Sequence, residues 1–240
     1  MVVIIELTER LWVVFNTRIA LIHALEESVK PAHQAFESHW REAFVFDLID
    51  TSLSADLAQL NTLEGSITKR IEMLAQYASR CAGIGGSTAG ILFTCSAFGP
   101  AINAVKSKLS IPVLRPNEAA FEAAIDIGRR IGVIATFPPS VVQLEKELRS
   151  MMQARGLVIE LEMQLAEGAL EALKNGDVDR HDSLIADAAV RLNSPDVVVL
   201  GQFSMARAGP LVERMQVTGK VVTTPESAVL TLKRLHEAHR

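Results

Sequence analysis

The strongest constraint on the fold is a series of short apolar runs that do not alternate with polar residues. They are RIALIHA (18–24), FVFDLID (44–50), GILFTCS (90–96), IPVLRP (111–116), RIGVIAT (130–136), LVIELEMQL (157–165), DVVVLGQF (196–203) and KVVTTP (220–225). A strand with one wet face alternates apolar and polar residues, so a run without alternation predicts a strand buried on both faces. The segments between them read as helices at 31–40, 66–81, from Pro100 onward, 117–128, 139–155, 181–192 and 226–237. The second of these carries Ile67, Ile71, Leu74 and Ala78 at helical spacing. Buried strands separated by helices imply parallel sheets covered on both sides, the doubly wound α/β class. A chain of 240 residues suits one large domain or two small lobes.

Composition narrows the function. With 49% hydrophobic and 22% charged residues, the chain reads as a soluble globular protein, not a disordered or rod-like one. Its net charge is −4 with no basic tract, which argues against nucleic acid as a partner. The apolar start MVVIIELTERLWVVF is broken by Glu6, Glu9 and Arg10. Its pieces are too short to span a bilayer, and its charge order is wrong for a signal peptide. A cytoplasmic protein without membrane contact is expected. Residues 1–17 read as an extra N-terminal arm, or as the product of an upstream start codon, with no assigned role.

Metal binding is not expected. His33 and His39 are too far apart in sequence to share a helix face, and the run Asp177, Asp179, Asp182 and Asp187 lacks EF-hand spacing. The glycine-rich GIGGSTAG (83–90) matches neither phosphate-loop spacing and reads as a flexible helix-to-strand connection. Two cysteines, Cys81 and Cys95, make no disulfide scaffold.

An internal echo is more informative. ILFTCSAFGPAI (91–102) and VVLGQFSMARAGPLV (198–212) each run from an apolar strand through a small polar cluster into a Gly-Pro helix start. Aligning the strand ends pairs Cys95 with Gln202, as if two similar lobes presented equivalent turns across a cleft. Ligands of open α/β sheets bind at such carboxyl ends. Backbone N–H groups after Ser96 and Ser204 suit a carboxylate, and a helix start also favours a thiolate.

Together RIALIHA, LFTCSAFGPAI, PVLRPNEAAFEAA, RIGVIATFPPSV, VVVLGQFSMARAGP and VVTTPESAV resemble the aspartate/glutamate/hydantoin racemase superfamily, which includes maleate isomerases and arylmalonate decarboxylases. The resemblance covers residues 18–232, and TCS at a strand end is its most specific element. It implies two flavodoxin-like lobes related by a pseudo-twofold, with the active site in the cleft between them and no cofactor or metal. The boundaries expected are an arm at 1–17, a first lobe at 18–114 plus 222–240, and a second lobe at 115–221. A small carboxylate, amino-acid-like or hydantoin-like, is the implied substrate. Base rates add a homodimer or higher homo-oligomer.

In racemases of this kind two cysteines flank the substrate carbon. Cys95 matches the first, while Gln202 stands where the second belongs. An amide is no general base near neutral pH, and Cys81 lies at a helix end. Arylmalonate decarboxylase-like members also use one cysteine, but theirs lies in the second lobe. The chemistry open to Cys95 is acid/base catalysis at an activated carbon, or addition to a double bond with cis–trans isomerisation. A decarboxylase relative and a non-catalytic carboxylate-binding or regulatory protein are the alternatives. Substrate-binding candidates are Thr94, Ser96, Ala97, Asn117, Thr136, Ser140, Phe203 and Ser204, with His23 as a candidate proton partner. Each has a structural alternative: Cys95 as a small core residue, Gln202 and His23 as satisfied polar groups, and Asn117, Ser140 and Thr224 as helix caps.

Overall fold

The computed structural model describes residues 15–60, 63, 65–215 and 219–238, so the first 14 residues of the expected arm lie outside it. Two compact units are present. One holds the described residues of Met1–Thr94 together with Pro100–Arg115 and Val229–Arg240; the other holds Cys95–Gly99 and Pro116–Ala228.

The first unit contains β1 (Thr17–His23), α1 (Val29–His39), β2 (Ala43–Ile49), α2 (Ser52–Leu60), α3 (Gly65–Ser79), β3 (Ala82–Gly83), β4 (Gly86–Phe93), α4 (Gly99–Lys106) and β5 (Val113–Leu114). Gly99, the first residue of α4, counts with the second unit. The parallel strands run in the order β2-β1-β4-β5. The second unit contains α5 (Glu118–Ile127), β6 (Arg130–Ala135), α6 (Pro138–Ala154), β7 (Glu160–Leu165), α7 (Ala169–Lys174), α8 (Val178–Val190), β8 (Val197–Leu200), α9 (Gly209–Arg214), β9 (Lys220–Thr223) and the start of α10 (Thr224–Ala238). Its parallel order is β7-β6-β8-β9. Each unit is thus an α/β sheet, and the two orders correspond strand for strand. Among the described residues no helix is long and apolar enough to cross a membrane.

Several expectations change. Val222 of β9 pairs with Val199 of β8, so residues 222–228 count with the second unit and the division falls inside α10. Cys95–Gly99 also counts with the second unit. The glycine-rich run is no loose connection: β3 and the start of β4 form an antiparallel hairpin, with Gly83 opposite Gly86. Gly85 turns it at φ 81°, and a Cβ there would lie 2.5 Å from the Thr17 carbonyl oxygen. Helices α2 and α7 escaped the periodicity reading. Helix α8 starts at Val178 because the Asp177 side chain accepts from the Arg180 N–H at 3.1 Å.

Strand β8 shows why the runs do not alternate. Val197 and Val199 pack with Phe121, Ile125, Leu144 and Leu148 on one face of the sheet. Val198 and Leu200 pack with Ile185, Ala189, Met205 and Val212 in a separate cluster. Both sets of side chains leave water, so every position favours a β-branched or aliphatic residue. Truncating Leu200 to Ala is expected to destabilise the protein by about 2–5 kcal/mol. Val142→Ala, at a 53% exposed position, should change stability by less than about 0.5 kcal/mol. Urea unfolding of both variants measures the contrast.

Candidate active site

In the second unit the polar residues gather where strands give way to helices. Cys95 follows β4 by two residues in extended backbone (φ −110°, ψ 122°) and opens a 3-10 turn, Ser96–Phe98, that runs into α4. Gln202 follows β8 by two residues (φ −142°, ψ 147°) and opens the 3-10 turn Phe203–Ala208 before α9. The two turns share one local plan. Gly201 permits the approach at the β8 end: its N–H donates to the Ile134 carbonyl at 2.9 Å, and a Cβ there would sit 2.8 Å from that oxygen.

The Gln202 side chain is held in place. Its carbonyl accepts from both the backbone N–H and the hydroxyl of Thr136, the latter at 2.8 Å. Its amide donates to the Ser140 hydroxyl at 3.5 Å, a long contact, and the Ser96 hydroxyl donates to Ser140 at 3.0 Å. Ser140 lies in the first turn of α6, behind Pro138 and Pro139. It is completely buried. A chain of side chains therefore runs Thr136–Gln202–Ser140–Ser96, and Ser96 adjoins Cys95. Ser140 thus accepts from two neighbours.

The remaining candidates are placed as follows. Cys95 and Ser204 are buried. Ala97 is packed in the turn after Cys95, and Phe203 is among the largest fully buried side chains. Asn117 starts α5 through its backbone carbonyl, which accepts from the Phe121 N–H, but its side chain makes no capping bond. That side chain is wholly buried, and neither its oxygen nor its nitrogen has a partner among the described residues. The Thr224 hydroxyl at the start of α10 is likewise buried without a partner. The capping roles weighed for Asn117 and Thr224 are therefore not made. Cys81 follows α3, with its thiol donating to the Tyr77 carbonyl at 3.4 Å.

The first unit holds a second polar cluster. His23 ends β1 and is completely buried. Its Nδ1 lies 2.9 Å from the hydroxyls of both Ser28 and Thr94, and its Nε2 lies 2.9 Å from Asp47 Oδ1. His33 of α1 puts Nε2 3.0 and 2.9 Å from the two Asp47 oxygens. Thr94 immediately precedes Cys95 in the chain. Ser28, His33 and Asp47 were missing from the sequence-based candidates. The available signal was Asp47 itself, a carboxylate inside the apolar run FVFDLID that requires a partner once the strand is packed.

Burial pushes the Asp47 carboxyl up, but hydrogen bonds from His23 and His33, with their charge, outweigh it and hold Asp47 well below the usual carboxylate range. The hydrogen bond to Asp47 raises His33 above its ordinary value, outweighing partial burial, and the charges of Asp47 and Glu37 add to it. Among the described residues no group of three or more His, Cys, Asp or Glu side chains is placed to hold a metal ion.

The sequence model of the Asp/Glu/Hydantoin racemase family matches residues 16–231. The chain belongs to this family. None of the curated proteins matches it. Solved structures share the fold at low identity. Allantoin racemase from Pseudomonas fluorescens has a TM-score of 0.66 at 16% identity, covering 93% of this chain and 92% of its own. A glutamate racemase isoform from Bacillus anthracis has a TM-score of 0.69 at 13% identity, covering 94% and 83%. Aspartate racemase from Picrophilus torridus has a TM-score of 0.69 at 12% identity, covering 92% and 94%. Membership supports an enzyme of racemase or isomerase type.

Two stability measurements probe this racemase-family site. A buried amide with no partner destabilises a fold, so Asn117→Ala should leave stability unchanged or raise it by up to about 1–3 kcal/mol. A loss of similar size in urea unfolding would show that the amide is satisfied. The second concerns His33 and Asp47. The Asp47 contribution is present above its unfolded pKa of about 3.9 and fades as pH falls toward its lowered folded value. The His33 contribution is full below its unfolded value of about 6.5 and fades as pH rises through its raised folded value. The stability gap between wild type and His33→Ala should therefore be widest near pH 5–6 and narrow toward about pH 3 and pH 8.

Proposed function

We propose that this protein catalyses cofactor-independent proton transfer at an activated carbon of a small carboxylate, amino-acid-like or hydantoin-like, with Cys95 as the base and acid. The observation that carries this reading is the setting of Cys95. It is buried at the strand-to-helix turn after β4, one residue before Ser96, whose hydroxyl bonds to Ser140. The start of α4 presents backbone N–H groups and the positive end of a helix dipole, which favour anions. In the proposed step the Cys95 thiolate takes the hydrogen from the substrate carbon. The Ser140 hydroxyl and the backbone N–H groups of the turn after Cys95 bind the carboxylate and the oxygen that gains charge. The thiol, once its proton has exchanged with solvent, protonates the carbon on the same face.

The Gln202 amide has no titratable proton near neutral pH, and its carbonyl is occupied by Thr136. A second cysteine acting from the opposite side is thus replaced by a binding group. Chemistry by one thiol follows, as exchange with retained configuration. The buried, unpartnered Asn117 amide supplies one more donor and acceptor for a substrate amide or carboxylate. The same locked Gln202 supports a second reading, a carboxylate-binding protein without turnover.

Proton NMR in D₂O separates the readings. The probes are L-aspartate, L-glutamate, allantoin, maleate and phenylmalonate, with chiral analysis of the first three. The expected result is loss of one compound's carbon-bound proton signal with configuration retained, slowed at least about 100-fold in Cys95→Ala. Inversion at the same rate as exchange would mean that another group delivers protons to the opposite face. Probe-induced thermal stabilisation without exchange, unchanged in Cys95→Ala, would favour the binding protein.

A further inference from the structure

The His23 cluster has a proton arrangement that its distances determine. An ionised carboxylate only accepts hydrogen bonds, and Asp47 is kept ionised by its two histidine neighbours. Both ring nitrogens that face it, Nε2 of His23 and Nε2 of His33, therefore carry hydrogen. In the neutral form of the His23 ring that this leaves, Nδ1 is bare and accepts. Two hydroxyls lie 2.9 Å from it. The Ser28 hydroxyl donates at 2.7 Å to the Leu25 carbonyl, which commits its only hydrogen. The Thr94 hydroxyl has two competing acceptors, the Ile22 carbonyl at 3.4 Å and the Ser28 oxygen at 2.9 Å, but with the Ser28 hydrogen committed it is the one hydroxyl left to donate to a bare Nδ1. Its hydrogen goes to His23.

We propose that Asp47 is a positioning residue for the strand end that carries Cys95. By keeping the His23 hydrogen on Nε2 it commits Nδ1 to the Thr94 hydroxyl, and His33 secures Asp47 from the solvent side. The inference rests on the reading of Cys95 as the reactive group. It assigns roles to Asp47 and His33, which touch no substrate in that reading. The physical logic is that of an aspartate that orients a histidine and stays charged itself. Asp47 is half-buried, with its side chain 27% exposed, and His33 is 35% exposed, while His23 has no exposure. The carboxylate thus sits between a solvent-facing ring and a sealed one. Thr94 gains a fixed rotamer one residue before Cys95. Its backbone N–H is also fixed, donating to the Ile22 carbonyl at 3.1 Å.

The test reads the tautomer and the rate separately. In histidine-labelled protein, long-range ¹H–¹⁵N correlation should show His23 with hydrogen on Nε2 and an accepting Nδ1. Asp47→Asn should convert this ring to a mixture of tautomers. Thr94→Val should shift its Nδ1 resonance toward that of an unbonded nitrogen, and Thr94→Ser should restore it. With whichever D₂O probe the wild type turns over, Asp47→Asn and Thr94→Val should each lower kcat at least about tenfold, with KM within about twofold. Thr94→Ser should recover most of the rate. A wild-type His23 with hydrogen on Nδ1, or a tautomer indifferent to Asp47→Asn, overturns the proposal. So does an altered tautomer with unchanged kcat. If no probe is turned over by wild type, the reading of Cys95 as the reactive group fails and the positioning role falls with it, while the tautomer spectra still decide the proton arrangement. Should Asp47→Asn fail to fold, the Thr94 pair carries both measurements.

Discussion

Burial of the central parallel strands β1, β4, β6 and β8 on both faces governs what the rest of the molecule can do, whereas β2 and β7 stay partly exposed and β2 carries Asp47 within it. Along β8 alternate residues enter two different apolar clusters, leaving no face for a polar side chain. Polar groups are admitted where a strand ends and its backbone turns into a helix, because N–H groups there still need partners. Thr94, Cys95, Thr136, Gln202 and Thr224 all follow a strand end by no more than two residues. The packing rule that builds each sheet thus also gathers the chemistry at one edge of it.

The turns after β4 and β8 show one local geometry carrying two different side chains. Both leave the strand in extended backbone, enter a 3-10 turn and continue into a Gly-Pro helix start. At one the side chain is a thiol, capable of proton transfer. At the other it is an amide, whose carbonyl takes two bonds from Thr136 and whose nitrogen reaches Ser140. The hydroxyl of Ser140 lies between the two sequence segments, bonded to Ser96 as well.

The strands and most helices were legible because their patterns are local and repeated. Errors fell where tertiary contacts decide. The glycine run became a hairpin because β4, paired with β1 from Thr88 onward, extends back to Gly86 against β3. The short α2 and α7 carry too few turns for periodicity to register. Asn117 and Thr224 stand at helix starts with capping chemistry, yet their buried side chains have no partner among the described residues. Residue type announces the capacity to cap, and packing decides whether the rotamer does so. His23 was visible at a strand end. Its partners Ser28, Asp47 and Thr94, and His33 beyond Asp47, come from a 3-10 turn, a second strand, a third strand end and a helix, and no spacing rule connects them.

By itself the sequence determined the α/β class, the strand ends that carry polar side chains, and the likeness of the turns at Cys95 and Gln202, because each depends on local periodicity or on an internal echo. Only the tertiary structure decided which hydroxyls meet which side chains. It locked Gln202 onto Thr136, left Asn117 buried with no partner among the described residues, and joined His33, Asp47, His23 and Thr94 into one chain of hydrogen bonds. Hydrogen bonds between side chains depend on distances of about 3 Å between segments far apart in the chain, and only packing sets those distances.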